Sequence, residues 1–181
     1  MPTAAPRAVP VVRPATVDDV PALAALHALS WRRAYRAILD ARFLESEVDA
    51  ERRAVWTRRL ATAPAPNQRV LVAEHLGALV GFACWYLDAD PRWGTLLDNL
   101  HAHPDWYGTG LGRGLLQAAA RASIAACPAR PLHLWCYVAN EPALRFYCRL
   151  GGARVGRKRA TCGGTSAESV RIAWPDPRAL V

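Results

Sequence analysis

Apolar and polar positions follow two different periods along the chain, and together these periods predict the order of its helices and strands. A spacing near 3.6 residues predicts helices over Val17–Tyr35, over Val48–Leu60 and from Leu111 onward. A fourth helix is predicted between Asn140 and the glycines that follow it. Alternating or β-branched apolar runs predict seven strands: Val9–Arg13, Arg69–Glu74, Leu79–Leu87, Thr95–His101, Leu132–Val138, Ala153–Arg159 and Ser169–Trp174.

The stretch Leu97–Leu116, LDNLHAHPDWYGTGLGRGLL, passes from a strand pattern through a turn into a helix. Glycines occupy every second position at its centre: Gly108, Gly110, Gly112 and Gly114. The first amides of a helix have no intrahelical partner and carry partial positive charge. Glycine lets an anion approach them, because it has no Cβ. The stretch therefore predicts a site for a phosphate-bearing ligand near Tyr107–Arg113.

Two common phosphate-binding motifs do not fit this loop. A Walker loop requires Lys and then Ser or Thr after its last glycine, whereas Gly112 is followed by Arg113 and Gly114. The dinucleotide motif GxGxxG also fails, because Arg113 or Leu115 stands at its last position. The structural alternative is an ordinary strand-to-helix turn that needs small residues for close packing.

Two blocks of the sequence resemble the GNAT superfamily of acyl-CoA-dependent N-acetyltransferases. That family carries Q/R-x-x-G-x-G/A at the start of a helix, after a strand that ends in Val-x-Pro. Here residues 107–112, YGTGLG, follow Ala102-His103-Pro104; both glycines and the proline match, and Tyr107 departs from the usual Gln or Arg. The second block, Leu132–Gly156, resembles the family's strand followed by N-x-x-A-x-x-F/Y-Y-x-x-x-G. The two blocks have the family's order and spacing.

The resemblance implies an α+β fold with three α/β/α layers. Its centre would be a mixed, mostly antiparallel, twisted sheet of about six or seven strands, flanked by about four helices. At 181 residues with 52% apolar content, one domain is expected. We place it at residues 9–175, with a flexible N-terminal tail at 1–8 and a C-terminal tail at 176–181.

The resemblance also implies acetyl-CoA as the acyl donor and assigns residues to it. Main-chain groups at the end of the fourth strand would bind pantetheine and polarise the thioester carbonyl: Leu100, His101, Ala102 and His103. The phosphate loop would comprise Tyr107, Gly108, Thr109, Gly110, Leu111, Gly112 and Arg113. Asn140 is a helix cap, and the resemblance adds a hydrogen bond to the pantetheine arm.

Transfer of an acetyl group from a thioester needs a neutral amine, stabilisation of the carbonyl oxygen and protonation of the leaving thiolate. Tyr147 matches the family's helix tyrosine and is the candidate acid; a core aromatic is the alternative. The base stays open between Asp98, a histidine such as His101, and water. Leu96 and Leu97 stand where many relatives carry a glutamate.

Trp31 and Tyr35 are four residues apart and therefore adjacent on the first helix. They are either core residues or a wall of the acceptor pocket, because the resemblance places the first helices on the acceptor side. The loop Asp88–Gly94 is the second region expected to determine which acceptor binds. The sequence does not identify that acceptor.

Composition excludes several other classes of function. The net charge is +8, but the arginines are distributed over several helices, so no nucleic-acid tract is indicated, although some could attract coenzyme A phosphates. Five cysteines without a C-x-x-C pair indicate neither a disulfide framework nor a metal site. No apolar run reaches the roughly 18 residues of a membrane span, and we expect a cytoplasmic protein.

These observations lead to one hypothesis and one alternative. The hypothesis is an N-acetyltransferase that moves an acetyl group from acetyl-CoA to a primary amine on a small molecule or peptide, by direct attack in a ternary complex. The alternative is a non-catalytic acyl-CoA sensor or interaction domain with the same fold. The oligomeric state stays open, and a homodimer is one option.

Overall fold

A seven-stranded sheet forms the centre of the computed structural model, which describes residues 8–181. The strands are β1 (Val11–Pro14), β2 (Gln68–His75), β3 (Ala78–Asp90), β4 (Gly94–Ala102), β5 (Leu132–Tyr137), β6 (Ala153–Cys162) and β7 (Thr165–Trp174). Their order is β1-β2-β3-β4-β5-β7-β6, and only the β4–β5 pair is parallel. The mixed, mostly antiparallel sheet predicted from the sequence is confirmed. The predicted N-terminal tail lies outside the described residues except for Ala8.

Four α-helices cover the two faces of the sheet. They are α1 (Val20–Tyr35), α2 (Val48–Thr57), α3 (Leu111–Ala126) and α4 (Glu141–Arg149). On one face, Leu23 of α1 and Trp56 of α2 belong to the same apolar cluster as Phe82 of β3. On the other face, Leu116 of α3 and Leu144 of α4 share a cluster with strand residues. The predicted three-layer α/β/α arrangement is confirmed.

Alternation along β3 shows how the sequence distributes side chains between the two layers. Phe82 and Cys84 belong to the cluster under α1 and α2, whereas Ala83 and Trp85 belong to the cluster under α3 and α4. Successive side chains of a strand point to opposite faces, so a strand that is covered on both faces is apolar at almost every position.

Two predicted connections are shorter than the sequence suggested. β3 extends to Asp90 and β4 starts at Gly94, and these two residues pair, so the predicted loop 88–94 reduces to a turn at residues 91–93. The predicted connection between β6 and β7, residues 160–165, reduces to a turn at Gly163–Gly164. Charged and small residues interrupt the apolar pattern at these strand ends, so the pattern predicted them as connections. Cross-strand pairing extends each hairpin beyond its apolar residues.

The C-terminal residues, expected as a tail, pack against the domain instead. Pro177–Leu180 forms a short 3₁₀ turn, and Leu180 is 6% exposed. The Gln117 side chain on α3 donates a hydrogen bond to the carbonyl oxygen of Leu180 (2.8 Å). The packed domain therefore extends beyond residue 175.

None of the helices within residues 8–181 combines the length and the apolar character needed to span a bilayer.

Candidate active site

A cleft opens where β4 and β5 separate. The two strands pair only through Thr95 with Leu132 and Leu96 with His133. Beyond these pairs, β4 continues to Ala102 and β5 to Tyr137, without further pairing to each other in the part of the chain that the structure describes. Facing strand edges without a shared ladder present main-chain donors and acceptors to whatever lies between them. Such a cleft suits an extended ligand with amide groups.

The residues predicted to bind pantetheine lie on the β4 wall of this cleft. Leu100, His101 and Ala102 pair with β3 on one side only, so their strand has an open edge on the other. His103 follows the strand, and its amide donates to the carbonyl of Val80 (2.8 Å). Its ring nitrogen accepts from the amide of Asp105 and caps the next turn.

The glycine loop follows directly and begins α3. Gly108 and Gly110 have φ angles of +76° and +90°, in the left-handed region that glycine adopts without strain. A Cβ at Gly108 or Gly110 would have no neighbour within 4 Å. Close packing therefore does not explain these two glycines, whereas the positive φ angles and the open space in front of the loop do.

The amides of this loop point to an anion site. Within residues 8–181, the amides of Gly108, Gly110, Leu111 and Gly112 make no hydrogen bond. Four free amides at the positive end of a 16-residue helix can hold a phosphate group. The loop that the sequence predicted as phosphate-binding has the geometry of such a site.

The side chains of the loop take different directions. Tyr107 is 49% exposed, and the Thr109 hydroxyl donates to the carbonyl of Trp106 (2.8 Å). Leu111 packs against the core. Arg113 and Arg149 line a cavity of about 300 Å³ between α3 and the end of α4.

Asn140 has a structural role that leaves part of its side chain available. Its Oδ1 accepts from the amide of Ala143 (3.4 Å), which confirms the predicted helix cap of α4. The amide nitrogen of the same side chain has no partner among the described residues. One side chain can therefore cap α4 with its oxygen and donate to a ligand with its nitrogen.

Tyr147 is the buried aromatic of α4 next to the cleft. It is 9% exposed and packs edge-on against Phe146 and Trp174. Burial is the main cause that raises its pKa well above the ordinary value of a phenol, and Cys136 and Tyr35 add to the shift. The hydroxyl therefore stays protonated at neutral pH, as a proton donor requires.

The influence of Tyr35 on Tyr147 crosses the sheet. Tyr35 is on α1 and Tyr147 on α4, in opposite layers, and Tyr35 makes the smallest of the three contributions that raise the pKa of Tyr147. Cys136 of β5 also contributes to the pKa shifts of both tyrosines.

Aromatic side chains form the opposite wall. The Tyr35 ring lies 5.5 Å from that of Trp31 and 5.1 Å from that of Tyr137 on β5, both edge-on. Trp31 itself is only 9% exposed, so most of it is core. The Arg52 guanidinium stacks over Trp31 at 4.1 Å and pairs with Glu51.

The turn between β6 and β7 closes this wall from the far side. A Cβ at Gly163 would lie 2.3 Å from the Phe43 ring, so the turn backbone is in contact with that ring. The Thr165 hydroxyl accepts a hydrogen bond from the amide of Asp40 (2.9 Å). The segment after α1 and the β6–β7 turn therefore hold each other in place over the aromatic residues.

The candidate base Asp98 sits in a bulge of β4. Cys84 pairs with Asn99 and Trp85 with Leu97, which leaves Asp98 as the extra residue. Its carboxylate accepts from Arg59 (2.7 Å), and the same guanidinium donates to Asn99 Oδ1 (2.6 Å). Asp98 is thus held in an ion pair.

The candidate His101 lies in a group of polar and aromatic side chains under α1. Its Nδ1 is 2.7 Å from the Ser30 hydroxyl, and its ring is 4.6 Å from His27. Burial, and to a smaller extent Arg52, lowers the pKa of His101 to about 3. Burial also lowers the pKa of His27, which accepts from the Trp56 indole (3.1 Å). Both histidines are therefore neutral at pH 7.

Tyr137 and Arg52 were missed in the sequence. Leu132, Leu134 and Cys136 face the α3–α4 layer, so alternation along β5 places Tyr137 on the α1 side. Strand alternation is therefore the sequence signal that gives the side of Tyr137. Nothing in the sequence marked Arg52, because its burial arises from docking of α2 on α1. Residues 8–181 contain no group of three or more His, Cys, Asp or Glu side chains arranged for a metal ion.

Comparison with known proteins decides the family. The profile described as "Acetyltransferase (GNAT) family" matches residues 24–151, well over half of the chain. The chain belongs to this family. The resemblance on which the sequence analysis relied is thereby confirmed, together with the class of fold.

Solved GNAT structures have the same fold at low sequence identity. A GCN5-related N-acetyltransferase from Rhodopseudomonas palustris has a TM-score of 0.72 at 22% identity, covering 94% of this chain and 98% of that chain. PaiA N-acetyltransferase from Thermoplasma acidophilum, in complex with coenzyme A, has 0.68 at 18%, covering 90% and 98%. Variants of the spermidine/spermine N-acetyltransferase SpeG from Vibrio cholerae have 0.63 at 16%, covering 91% and 92%.

Proposed function

We propose that this GNAT protein transfers an acetyl group from acetyl-CoA to a primary amine, by direct attack within a ternary complex. The observation that carries the proposal is the continuity between three features. The open edge of β4 leads directly to the free amides at the start of α3, β5 diverges from that edge, and α4, which carries Tyr147, follows β5. The PaiA structure with coenzyme A supports a coenzyme in this fold.

In this proposal the donor is held mainly by main-chain groups. The amides of Gly108, Gly110, Leu111 and Gly112 bind the diphosphate. The open edge of β4 at Leu100–Ala102 pairs with the amides of the pantetheine arm, as an added strand would. One N–H of that edge donates to the thioester carbonyl oxygen and stabilises the negative charge that develops there.

The reaction then needs one proton donor and one proton acceptor. The neutral amine attacks the thioester carbonyl carbon, the C–N bond forms, and the carbon–sulfur bond of the tetrahedral intermediate breaks. Tyr147 donates its proton to the departing thiolate and is reprotonated from solvent. The amine loses its proton to water, because Asp98 is paired with Arg59 and the pKa of His101 is about 3.

The acceptor side is proposed to include Trp31, Tyr35 and Tyr137. Their edge-on rings form a mostly apolar wall beside the cleft. We propose an amine on a small molecule or peptide whose body packs against these rings. The cytoplasmic location, the absence of nucleic-acid and membrane partners, and the oligomeric state stay predictions from the sequence.

The test is thiol release from acetyl-CoA against mixed pools of primary amines, with coenzyme A binding measured separately. Tyr147→Phe is expected to lower kcat by about 10²-fold or more, since general acid catalysis contributes that much, while coenzyme binding is retained. Asp98→Asn is the matched variant and is expected to keep kcat within about tenfold. Tight coenzyme binding without thiol release from any amine would instead favour the non-catalytic sensor.

A further inference from the structure

One face of α1 is cationic and borders the turn before the glycine loop. Leu29, Arg33 and Arg36 are spaced four and three residues apart, so they share this face. Together with Arg32 and Pro104 they line a cavity of about 540 Å³. Pro104 belongs to the segment that joins β4 to α3, so the cavity lies beside the candidate phosphate site.

The arginines of this cavity differ in what they bind. Arg32 donates to the carbonyl of Leu44 (2.8 Å) and pairs with Asp49, so its guanidinium is already engaged. Arg33 and Arg36 are exposed, and within residues 8–181 neither forms an ion pair or donates a hydrogen bond. Two unpaired guanidinium groups on a concave surface are available to an anionic ligand.

Arg33 also contacts the one loop residue that departs from the family's signature. Its guanidinium carbon lies 5.8 Å from the centre of the Tyr107 ring. Position 107 carries Gln or Arg in the family's signature, and Tyr107 supplies no positive charge there. The adjacent amides of Gly108 and Gly110 are free. The Arg33 guanidinium therefore supplies a positive charge beside position 107, where the loop itself has none.

We propose that Arg33, assisted by Arg36, forms a phosphate subsite for coenzyme A that replaces the missing Gln or Arg side chain at position 107. This inference rests on the proposed function, because it assumes coenzyme A as the ligand. The guanidinium groups approach the phosphates from the α1 layer while the loop amides bind them from the α3 layer. The phosphate contacted is either the diphosphate or the 3′-phosphate of the coenzyme.

Binding of three probes to matched variants tests the subsite. The probes are coenzyme A, 3′-dephospho-coenzyme A and pantetheine, which carries no phosphate. The variants are Arg33→Ala, Arg36→Ala and the double variant. The control is Arg121→Ala, which removes the same charge from an exposed site on α3, about 15 Å along the helix from its first residue.

Arg33→Ala is expected to raise the Kd of coenzyme A about tenfold or more, and the double variant further, since charge-assisted hydrogen bonds are lost. The salt dependence of binding should become less steep. Pantetheine binding and the Arg121→Ala control should match wild type. If dephospho-coenzyme A loses affinity equally, Arg33 contacts the diphosphate; if only coenzyme A does, the contact is the 3′-phosphate.

Restoring the charge within the loop gives an independent test. Tyr107→Arg in the Arg33→Ala background is expected to recover most of the lost affinity, which a purely structural effect of Arg33 would not allow. Wild-type affinity in the double Arg33/Arg36 variant would overturn the subsite and leave the proposed function intact. Failure of the wild-type protein to bind coenzyme A would overturn the proposed function itself.

Discussion

The two sides of the cleft are built in different ways. On the proposed donor side, the main-chain groups come from one continuous segment, from Leu100 to Gly112, at the open edge of β4 and the start of α3. The acceptor side combines side chains from α1, β5, the segment after α1 and the β6–β7 turn. A ligand common to a whole family can be recognised by a local backbone conformation. A ligand that differs between members of the family needs side chains from several elements, and these side chains come together only when the elements pack.

The largest expected effect comes from a substitution that disturbs the packing of the proposed acceptor side alone. Gly163→Ala should destabilise the fold by about 2–4 kcal/mol, because its Cβ would overlap the Phe43 ring and its φ is +53°. Gly164→Ala, at φ +75° with nothing within 4 Å, should cost only about 1 kcal/mol. Chemical denaturation measures both. The acceptor KM should rise for the first variant while coenzyme affinity is kept, and equal destabilisation by the two changes would contradict this packing.

Lowering the pH acts on the His101 side chain, which lies between β4 and α1. The pKa of His101 is about 3 in the folded chain and near 6.5 in an unfolded one. Between these values only the unfolded state binds the proton, so stability falls as the pH drops below about 6.5. The slope is about 1.4 kcal/mol per pH unit for one histidine. His101→Gln should reduce this slope by about 1.4 kcal/mol per pH unit between pH 6.5 and 4.5, as measured by denaturation at each pH, while His27 keeps its own contribution.

Parallel curves for the wild type and His101→Gln would show that this ring is protonated in both states or in neither. The same low pKa predicts that kcat/KM shows no inflection from His101 between pH 5 and 8.

The smallest expected effects distinguish Gly110 of the glycine loop from Gly114 in the first turn of α3. Gly110→Ala should cost about 1 kcal/mol, because φ is +90° there, and should weaken coenzyme binding by turning the free amides away. Gly114→Ala should instead stabilise the protein by about 0.5–1 kcal/mol, since this residue is helical and has open space around it. Thermal unfolding measures the stability of each variant, and coenzyme titration measures its affinity for the coenzyme. Destabilisation by Gly114→Ala would show that neighbouring atoms leave no room for a methyl group at this position of α3.

The donor side could be predicted because its signals are local. The glycines at 108 and 110 require a backbone that few other residues adopt, and Asn140 marks the start of α4 by its capping oxygen. The β6–β7 hairpin was predicted too short and the packed C-terminus was missed, because the extent of pairing and the packing of a chain end depend on residues distant in sequence. Asp98 illustrates the same limit: its ion pair with Arg59 joins positions 39 residues apart.

The amino-acid sequence alone was sufficient to determine the family, the layer order and the glycine turn at which α3 begins, because helix starts, turns and strand periods depend on neighbouring residues. Only the tertiary structure decided the burial of the histidines, the separation of β4 from β5 and the approach of Arg33 to Tyr107. These features depend on how α1 packs across the sheet, and local propensity does not encode the distance between two elements.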